Sequence, residues 1–369
     1  MNFRYKVGDK TFFVKLQAIR EHNKTNLPIY FCTPDSYETV DFSKEPEKDL
    51  QDLLKEEAQR LRDSYKYIRM YFSGGSDSSQ MLRTFMDNNI HIDEIVCWKS
   101  GLKVSDYEIE NYAIPRLKKF AKELDGTKIT ISEPTREDYI KYWSEGITEE
   151  KIQNGCADFY TFIRLIQAPD LFKPENFKPG VLNLRGSDKP KIMNIKEHWY
   201  TYFLDVDLEP HSHCYHFFSD NALIQCKQAH LFLKNMKAHP RKREYEIYNF
   251  QKIWNESMDR YTDGESMENY PMKEMTIVEK KWSMPYKGGE VFYHNTKERK
   301  ALEFLTQNDP EIVDLWLKCM DQYREITDNK WWNHNRPELS TVGVWSKFYC
   351  LTQKGNKTVD ELYPDGFKQ

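Results

Sequence analysis

A loop rich in serine and glycine, Ser73-Gly74-Gly75-Ser76-Asp77-Ser78-Ser79, is the part of the chain best equipped for chemistry. A polyphosphate needs several backbone N–H donors close together and no side chain in the way of its approach. Gly74 and Gly75 leave that approach open, and a helix starting just after them would add free N–H groups and partial positive charge at its first turn. The hydroxyls of Ser73, Ser76, Ser78 and Ser79 supply further donors. Asp77 cannot attract phosphate by its own charge. It is expected either to orient a backbone turn or to act through a Mg2+ ion that bridges the phosphates. The plain alternative is a polar turn between strand and helix with no ligand.

The loop has no Gly-Lys-Ser/Thr at Walker A spacing, and it is not GxGxxG. In every fixed position it resembles the SGGxDS signature of the PP-loop ATP pyrophosphatases, the adenine nucleotide alpha-hydrolase-like proteins. The resemblance covers roughly residues 65–190 and does not extend outside them. It implies a doubly wound α/β fold with a mainly parallel sheet and ATP at the carboxyl ends of the strands. It implies cleavage of ATP to AMP and pyrophosphate, with an adenylated acceptor that a nucleophile later attacks. By the same resemblance Ser73, Gly74, Gly75, Ser76, Asp77 and Ser78 hold the pyrophosphate portion, Asp77 serves catalysis and Mg2+, and Cys97-Trp98 lies beside adenine. The implied acceptor is a nucleobase in RNA or DNA, or a small carboxylate, destined for thiolation, amination or amidation. The chain also resembles the PAPS-reductase-like PP-loop proteins of large tailed phages, and its Lys-, Asn- and Tyr-rich composition is compatible with that origin. A reductase of adenylylated sulfate would carry a redox cysteine in a Glu-Cys-Gly-type motif near the C-terminus, and Phe348-Tyr349-Cys350-Leu351 departs from it. A protein that binds nucleotide without releasing pyrophosphate is the third reading.

A second loop, Arg185-Gly186-Ser187-Asp188-Lys189, follows an apolar run at 181–184. If that run is a strand of the same sheet, its loop emerges on the same edge as the glycine loop. Arg185 and Lys189 can then neutralise phosphates, Gly186 is a nucleotide-binding candidate as part of the same loop, and Asp188 can hold Mg2+ or orient a base; an ordinary turn with a solvated charge pair remains the alternative. Among the thiols, Cys97 and Cys226 sit in apolar contexts, and Cys156 in Asn154-Gly155-Cys156-Ala157-Asp158 is the candidate for sulfur chemistry. The run His211-Ser212-His213-Cys214-Tyr215-His216 has metal-ligand residue types. In an extended chain, however, its ligands fall on opposite faces and no distant CxxC completes a zinc set. The basic run Lys237 to Arg243 (KAHPRKR) can meet a tRNA or DNA backbone or simply be solvated, and Trp331, Trp332 and Trp345 can stack bases or pack.

These residues need elements to position them. Residues 3–7 and 11–16 alternate around Gly8-Asp9 as a β-hairpin does, and 29–32 is a further extended piece. Leu50, Leu53, Leu54, Ala58 and Leu61 recur at helical spacing. Strands are expected at 67–72, 94–98, 127–132 and 181–184. Helices are expected between the first three of them, the one from about 106 to 124 kinked or split at Pro115. Alternation of strand and helix specifies a parallel sheet with right-handed crossovers. A hairpin is expected around Glu197-His198. A helix capped by Ser219 should run to about Met236, with further helices near 242–260 and 297–325. The expected organisation is an N-terminal appendage over 1–45, a PP-loop α/β domain over 46–240 and a mainly helical C-terminal domain over 241–369.

Composition bounds the rest. Of 369 residues 39% are hydrophobic and 14% aromatic, so many of the 23 Tyr and 21 Phe must take core positions. Fifty-four basic against 58 acidic residues leave a net charge of −4, which argues against a dedicated nucleic-acid coat or membrane-surface protein, though not against a local basic groove. No apolar run reaches membrane-spanning length and no secretory signal is evident. Seven scattered cysteines are not a disulfide framework, so a reducing cytoplasm is the expected setting. The oligomeric state is not legible.

Overall fold

The computed structural model describes residues 3–99, 106, 109–120, 122–153, 180–186, 190–195, 197–203, 205, 214–238, 304–327 and 344–362. At the N-terminus β1 (Arg4–Val7) and β2 (Lys10–Phe12) form the expected hairpin, turned at Gly8 with φ of 58°. The second strand is shorter than its alternation predicts. The chain enters α1 (Lys15–Thr25), because Leu16, Ala18 and Ile19 find a buried face and Lys15 is paired inside the protein with Asp205. Asn26, in the left-handed region at φ 57°, ends the helix. β3 (Ile29–Cys32) then adds to the other side of β1, antiparallel.

From α2 (Leu50–Ser64) onward the period changes as read. α2 leads into β4 (Tyr67–Tyr71), the glycine loop and α3 (Ser76–Asp87). Next come β5 (Glu94–Trp98), a π-helical turn over Ile109–Ala113, α4 (Ile114–Phe120) and β6 (Lys128–Ser132). The expected irregularity at Pro115 is that π turn. Proline has no N–H for the preceding turn and its ring crowds the carbonyl four residues back, so the ladder widens before it. α5 (Arg136–Ser144) was not expected; Thr135 and Asp138 form a capping box at its start. α6 (Glu149–Gln153) precedes β7 (Val181–Arg185), β8 (Lys191–Ile195), β9 (His198–Tyr202) and β10 (Cys214–His216). Then follow α7 (Ala222–Ala238), α8 (Pro310–Ile326), β11 (Phe348–Cys350), β12 (Asn356–Lys357) and α9 (Val359–Leu362). Ser219 does not cap α7. Asn221 does, its Oδ1 accepting the N–H groups of Leu223 and Ile224.

The central sheet has the order β10-β7-β4-β5-β6, and every neighbouring pair is parallel. The chain steps outward from β4 to β5 to β6, returns to the other side of β4 as β7, and steps outward again to β10. The direction of winding therefore reverses between β4 and β7. One sheet face carries Ile68, Met70, Ile95, Cys97, Leu182 and Leu184 into a single apolar core with the buried side chains of α2, α3, α4 and α7. The opposite face is polar at its amino end. There Glu94 is buried yet paired, with Arg69 at 2.8 Å, Lys128 at 3.0 Å and the Thr130 hydroxyl at 2.6 Å. Burial resists ionisation, but these hydrogen bonds outweigh it and hold the carboxyl down to about 2.

β8 and β9 form the expected hairpin, with Glu197 at φ 71° in its turn, and β11 and β12 extend it to a sheet of order β12-β11-β9-β8. Besides its helices, the C-terminal region contributes strands, because β11 pairs with β9. One expectation about organisation changes: the N-terminal segment is not an appendage. Phe3, Tyr5, Phe31, Tyr37 and Phe42 share one buried cluster with Trp199, Phe203, Ala222, Cys226 and Tyr349, so the core crosses both expected boundaries. The helix expected near 242–260 lies outside the described residues. Among the described residues no helix is long and apolar enough to cross a membrane.

Candidate functional site

The glycine loop forms where β4 leaves the sheet. Phe72 still bonds through its N–H to Val96 O at 2.9 Å, after which Gly74 turns the chain with φ of 78° and Gly75 serves as the N-cap of α3. No side chain caps that helix. Its first-turn N–H groups have no acceptor within the helix, so they face whatever lies beyond the loop. As donors, the serine hydroxyls make only long contacts among the described residues. Ser78 Oγ receives the Ser73 N–H at 3.3 Å, lies 3.2 Å from Ser73 Oγ and donates to Gly75 O at 3.3 Å; Ser79 Oγ donates to Gly74 O at 3.4 Å. Contacts of that length are weak and easily exchanged for a better acceptor. Asp77 stands half-buried in the first turn of α3, and of Ser76 only the backbone, as the first residue of α3, is described.

The loop is held from behind by the segment after β5. A Cβ on Gly74 would come within 2.8 Å of Ala113 Cα and Cβ, at the end of the π turn. Three residues later Arg116, half-buried, donates from Nη1 to Gly74 O at 2.7 Å and to Ser79 Oγ at 2.8 Å. No local pattern in the sequence marks Arg116, since its partners are 37 and 42 positions away.

The second loop meets the first. Gly186 lies so close to α3 that a Cβ there would sit 3.1 Å from the backbone C and O of Asp77 and from Ser78 Cα. Arg185, at the end of β7, places its guanidinium over the Tyr71 ring, 5.4 Å from the centroid, and pairs in register with His216 of β10. Among the described residues no carboxylate pairs with Arg185. Burial pushes the Tyr71 hydroxyl up to about 12, and burial together with Arg185 brings His216 down to about 3, which leaves a neutral imidazole beside the arginine. Both loops thus stand at the carboxyl ends of β4 and β7, at the reversal of winding, which is where open α/β sheets form a ligand crevice. Ser187, Asp188 and Lys189 lie outside the described residues.

The remaining candidates fall elsewhere. The Cys97 side chain points into the apolar core, where burial pushes its thiol up to about 12, so it does not reach the crevice. Trp98 packs against the cluster that joins α5 and α8. Burial likewise raises the thiols of Cys226 to about 12 and of Cys319 to about 11, which makes both poor nucleophiles. Cys350 is buried in β11, and Cys156 lies outside the described residues. Cys214 and His216 belong to the parallel sheet, a role the histidine-rich pattern obscured, while His211 and His213 lie outside the described residues. Among the described residues no three His, Cys, Asp or Glu side chains converge as a metal cage. Trp345 stacks on Phe348 with centroids 5.8 Å apart and lies 5.0 Å from Tyr202, so its ring is committed to packing. Beyond Ala238 the basic run lies outside the described residues, as do Trp331 and Trp332.

Sequence reading also missed Asp220, just past β10. Its carboxylate accepts the His216 backbone N–H, its Oδ1 has no hydrogen-bond partner among the described residues, and burial, with Glu57 nearby, pushes the acid up to about 7.

No protein-family model matches the chain, and no curated protein matches it in sequence.

Proposed function

We propose that the protein is an ATP-dependent adenylating enzyme that cleaves ATP to AMP and pyrophosphate. The observation that carries this reading is the convergence, at the reversal of winding, of an uncapped helix N-terminus, a two-glycine loop and a cation with no carboxylate partner among the described residues. In this reading the N–H groups of Gly75, Ser76 and Asp77 and the Ser73 and Ser78 hydroxyls receive the pyrophosphate oxygens. Arg185 compensates charge on the transferred or leaving phosphate. An acceptor oxygen attacks the α-phosphorus, the bond from that phosphorus to the bridging oxygen breaks, and pyrophosphate departs with the bond pair. Asp77 is the described carboxylate that fits Mg2+. With no cage of ligands among the described residues, the ion would be held mainly by phosphate oxygens and water, and bound there it would neutralise phosphate charge. Lys189 and Asp188 are further candidates for phosphate and metal contact. A nucleobase in RNA or DNA and a small carboxylate both remain candidate acceptors.

The test is pyrophosphate release from ATP and Mg2+, comparing the native chain with Asp77→Ala, with and without total cellular RNA or a small-molecule extract. Release that requires Asp77 and one of the two pools supports the reading and shows which pool holds the acceptor. Retained ATP binding without release would turn the reading into nucleotide binding alone, and no ATP binding would end it.

A further inference from the structure

We propose that Arg116 is a positioning residue of the glycine loop: it locks the plane of the Gly74–Gly75 peptide so that the Gly75 N–H faces the ligand side. The proposal rests on the phosphate-binding reading above and adds to it a residue outside the loop, on the crossover that follows β5.

A peptide between two glycines is the least constrained kind of peptide. Rotating it changes ψ of Gly74 and φ of Gly75, and no Cβ opposes either change. The openness that lets a phosphate approach would therefore also let the peptide turn its carbonyl, and negative dipole, toward that phosphate. Something outside the loop has to select the orientation. In a trans peptide the C=O and the following N–H point in opposite directions, and no cis peptide occurs among the described residues. Arg116 Nη1 holds Gly74 O at 2.7 Å on the inner side, so the Gly75 N–H is turned outward. Its acceptor there is Ser73 Oγ, at 3.4 Å and on an exposed residue, a contact long enough to yield to a phosphate oxygen.

The arginine is itself held. The same Nη1 donates to Ser79 Oγ at 2.8 Å, on the first turn of α3, so loop, helix start and crossover are tied at one nitrogen. Ala113, three residues before it, blocks the inner side of Gly74. Carbonyl and Cα of the glycine are thus fixed from one segment, while its partner Gly75 stays free on the other side. A charged donor is suited to this task, because hydrogen bonds from an ionised group are stronger than neutral ones and do not depend on pH in the ordinary range.

The experiment is calorimetric titration of inorganic pyrophosphate with Mg2+ into the full-length native chain and its Arg116→Gln and Arg116→Lys variants, each checked by thermal melting. Arg116→Gln is expected to stay folded and to bind pyrophosphate about 10- to 100-fold more weakly, the loss that one charged hydrogen bond implies. Arg116→Lys is expected to recover most of that loss, a rescue that simple packing by the side chain would not produce. Folded Arg116→Gln with native affinity overturns the proposal and leaves the phosphate reading standing. A native chain that binds neither pyrophosphate nor ATP overturns both. Should Arg116→Gln fail to fold, Ser79→Ala takes its place, since it removes an acceptor that holds the guanidinium at Nη1. Its expected weakening is about two- to five-fold, the share of a neutral hydrogen bond, and unchanged affinity there is equally fatal.

Discussion

Two adjacent glycines should respond to the same substitution in opposite ways, although the sequence presents them as equals. At Gly74 an alanine has to adopt φ of 78°, a left-handed conformation that costs about 1–2 kcal/mol for a residue with a Cβ. Its new methyl would also stand 2.8 Å from Ala113 Cα and Cβ, where carbon atoms normally keep roughly 3.5–4.0 Å. Overpacking of that kind adds about 1–3 kcal/mol, because the π turn is backbone and cannot swing aside. Gly74→Ala is therefore expected to lower unfolding free energy by about 2–5 kcal/mol. Gly75 has an ordinary φ of −69°, and a Cβ there meets only Ser73 Oγ, at 3.4 Å. Losing glycine at an N-cap costs about 0.5–1 kcal/mol, and the reduced freedom of the unfolded chain returns a similar amount. Gly75→Ala should leave stability within about 1 kcal/mol of native while placing a methyl where a phosphate would approach. Urea unfolding followed by tryptophan fluorescence measures the first quantity, and titration with ATP and Mg2+ the second. Equal destabilisation by both substitutions, or a Gly75→Ala chain that binds ATP as well as native, would refute the assignment of Gly74 to the scaffold and Gly75 to the ligand.

Two further predictions concern buried charge. Lys15 and Asp205 form an ion pair at 2.7 Å with both side chains fully buried, and Asp205 also accepts the Tyr5 hydroxyl and the Val344 N–H. Lys15→Met alone should cost about 3–5 kcal/mol in urea unfolding, because it strands a carboxylate, whereas adding Asp205→Leu should recover part of that loss; additive losses would mean the pair is not coupled. Asp220 and His216 should oppose each other in pH dependence. Asp220, raised to about 7, keeps a proton in the folded chain that the unfolded chain releases near 4, so its contribution falls as pH rises through about 4 to 7. His216, lowered to about 3, refuses a proton that the unfolded chain takes near 6.5, so its contribution falls as pH drops below that value. Native stability should therefore be nearly flat across the overlap. Asp220→Asn should tilt it by up to about 1.4 kcal/mol per pH unit, losing stability toward acid, and His216→Gln should tilt it the other way. Slopes of the same sign in the two variants would contradict the assignment.

What could be read from the sequence follows the range of the forces involved. The run from β4 through the glycine loop to α3, and the strands β5, β6 and β7, declare themselves locally: an apolar run, a glycine pair and helical spacing of Met81, Leu82 and Phe85 lie within a few residues of one another. α1 does not, because Phe12-Phe13-Val14 continues the look of a strand and the partner that makes Lys15 acceptable inside the protein is Asp205, 190 positions on. β10 was hidden by its composition. Three residues drawn from a histidine-rich run attract a metal reading, and only the neighbouring β7 makes them a strand. β11 likewise acquires its identity from β9.

The same division runs through the candidate site. Alternating strands and helices with right-handed crossovers require that both the glycine loop and Arg185-Gly186 leave the sheet at its carboxyl edge. Nothing in that rule makes β7 the neighbour of β4 rather than of β6, and only as the neighbour of β4 does it set Gly186 against Asp77 and Ser78. Edge is a local inference; adjacency is a property of the finished sheet. Arg116 belongs to the second kind. A lone arginine after a proline has no signature, yet once β5 lies beside β4 its crossover must pass behind the glycine loop, and a side chain there can govern which way the loop's amides point.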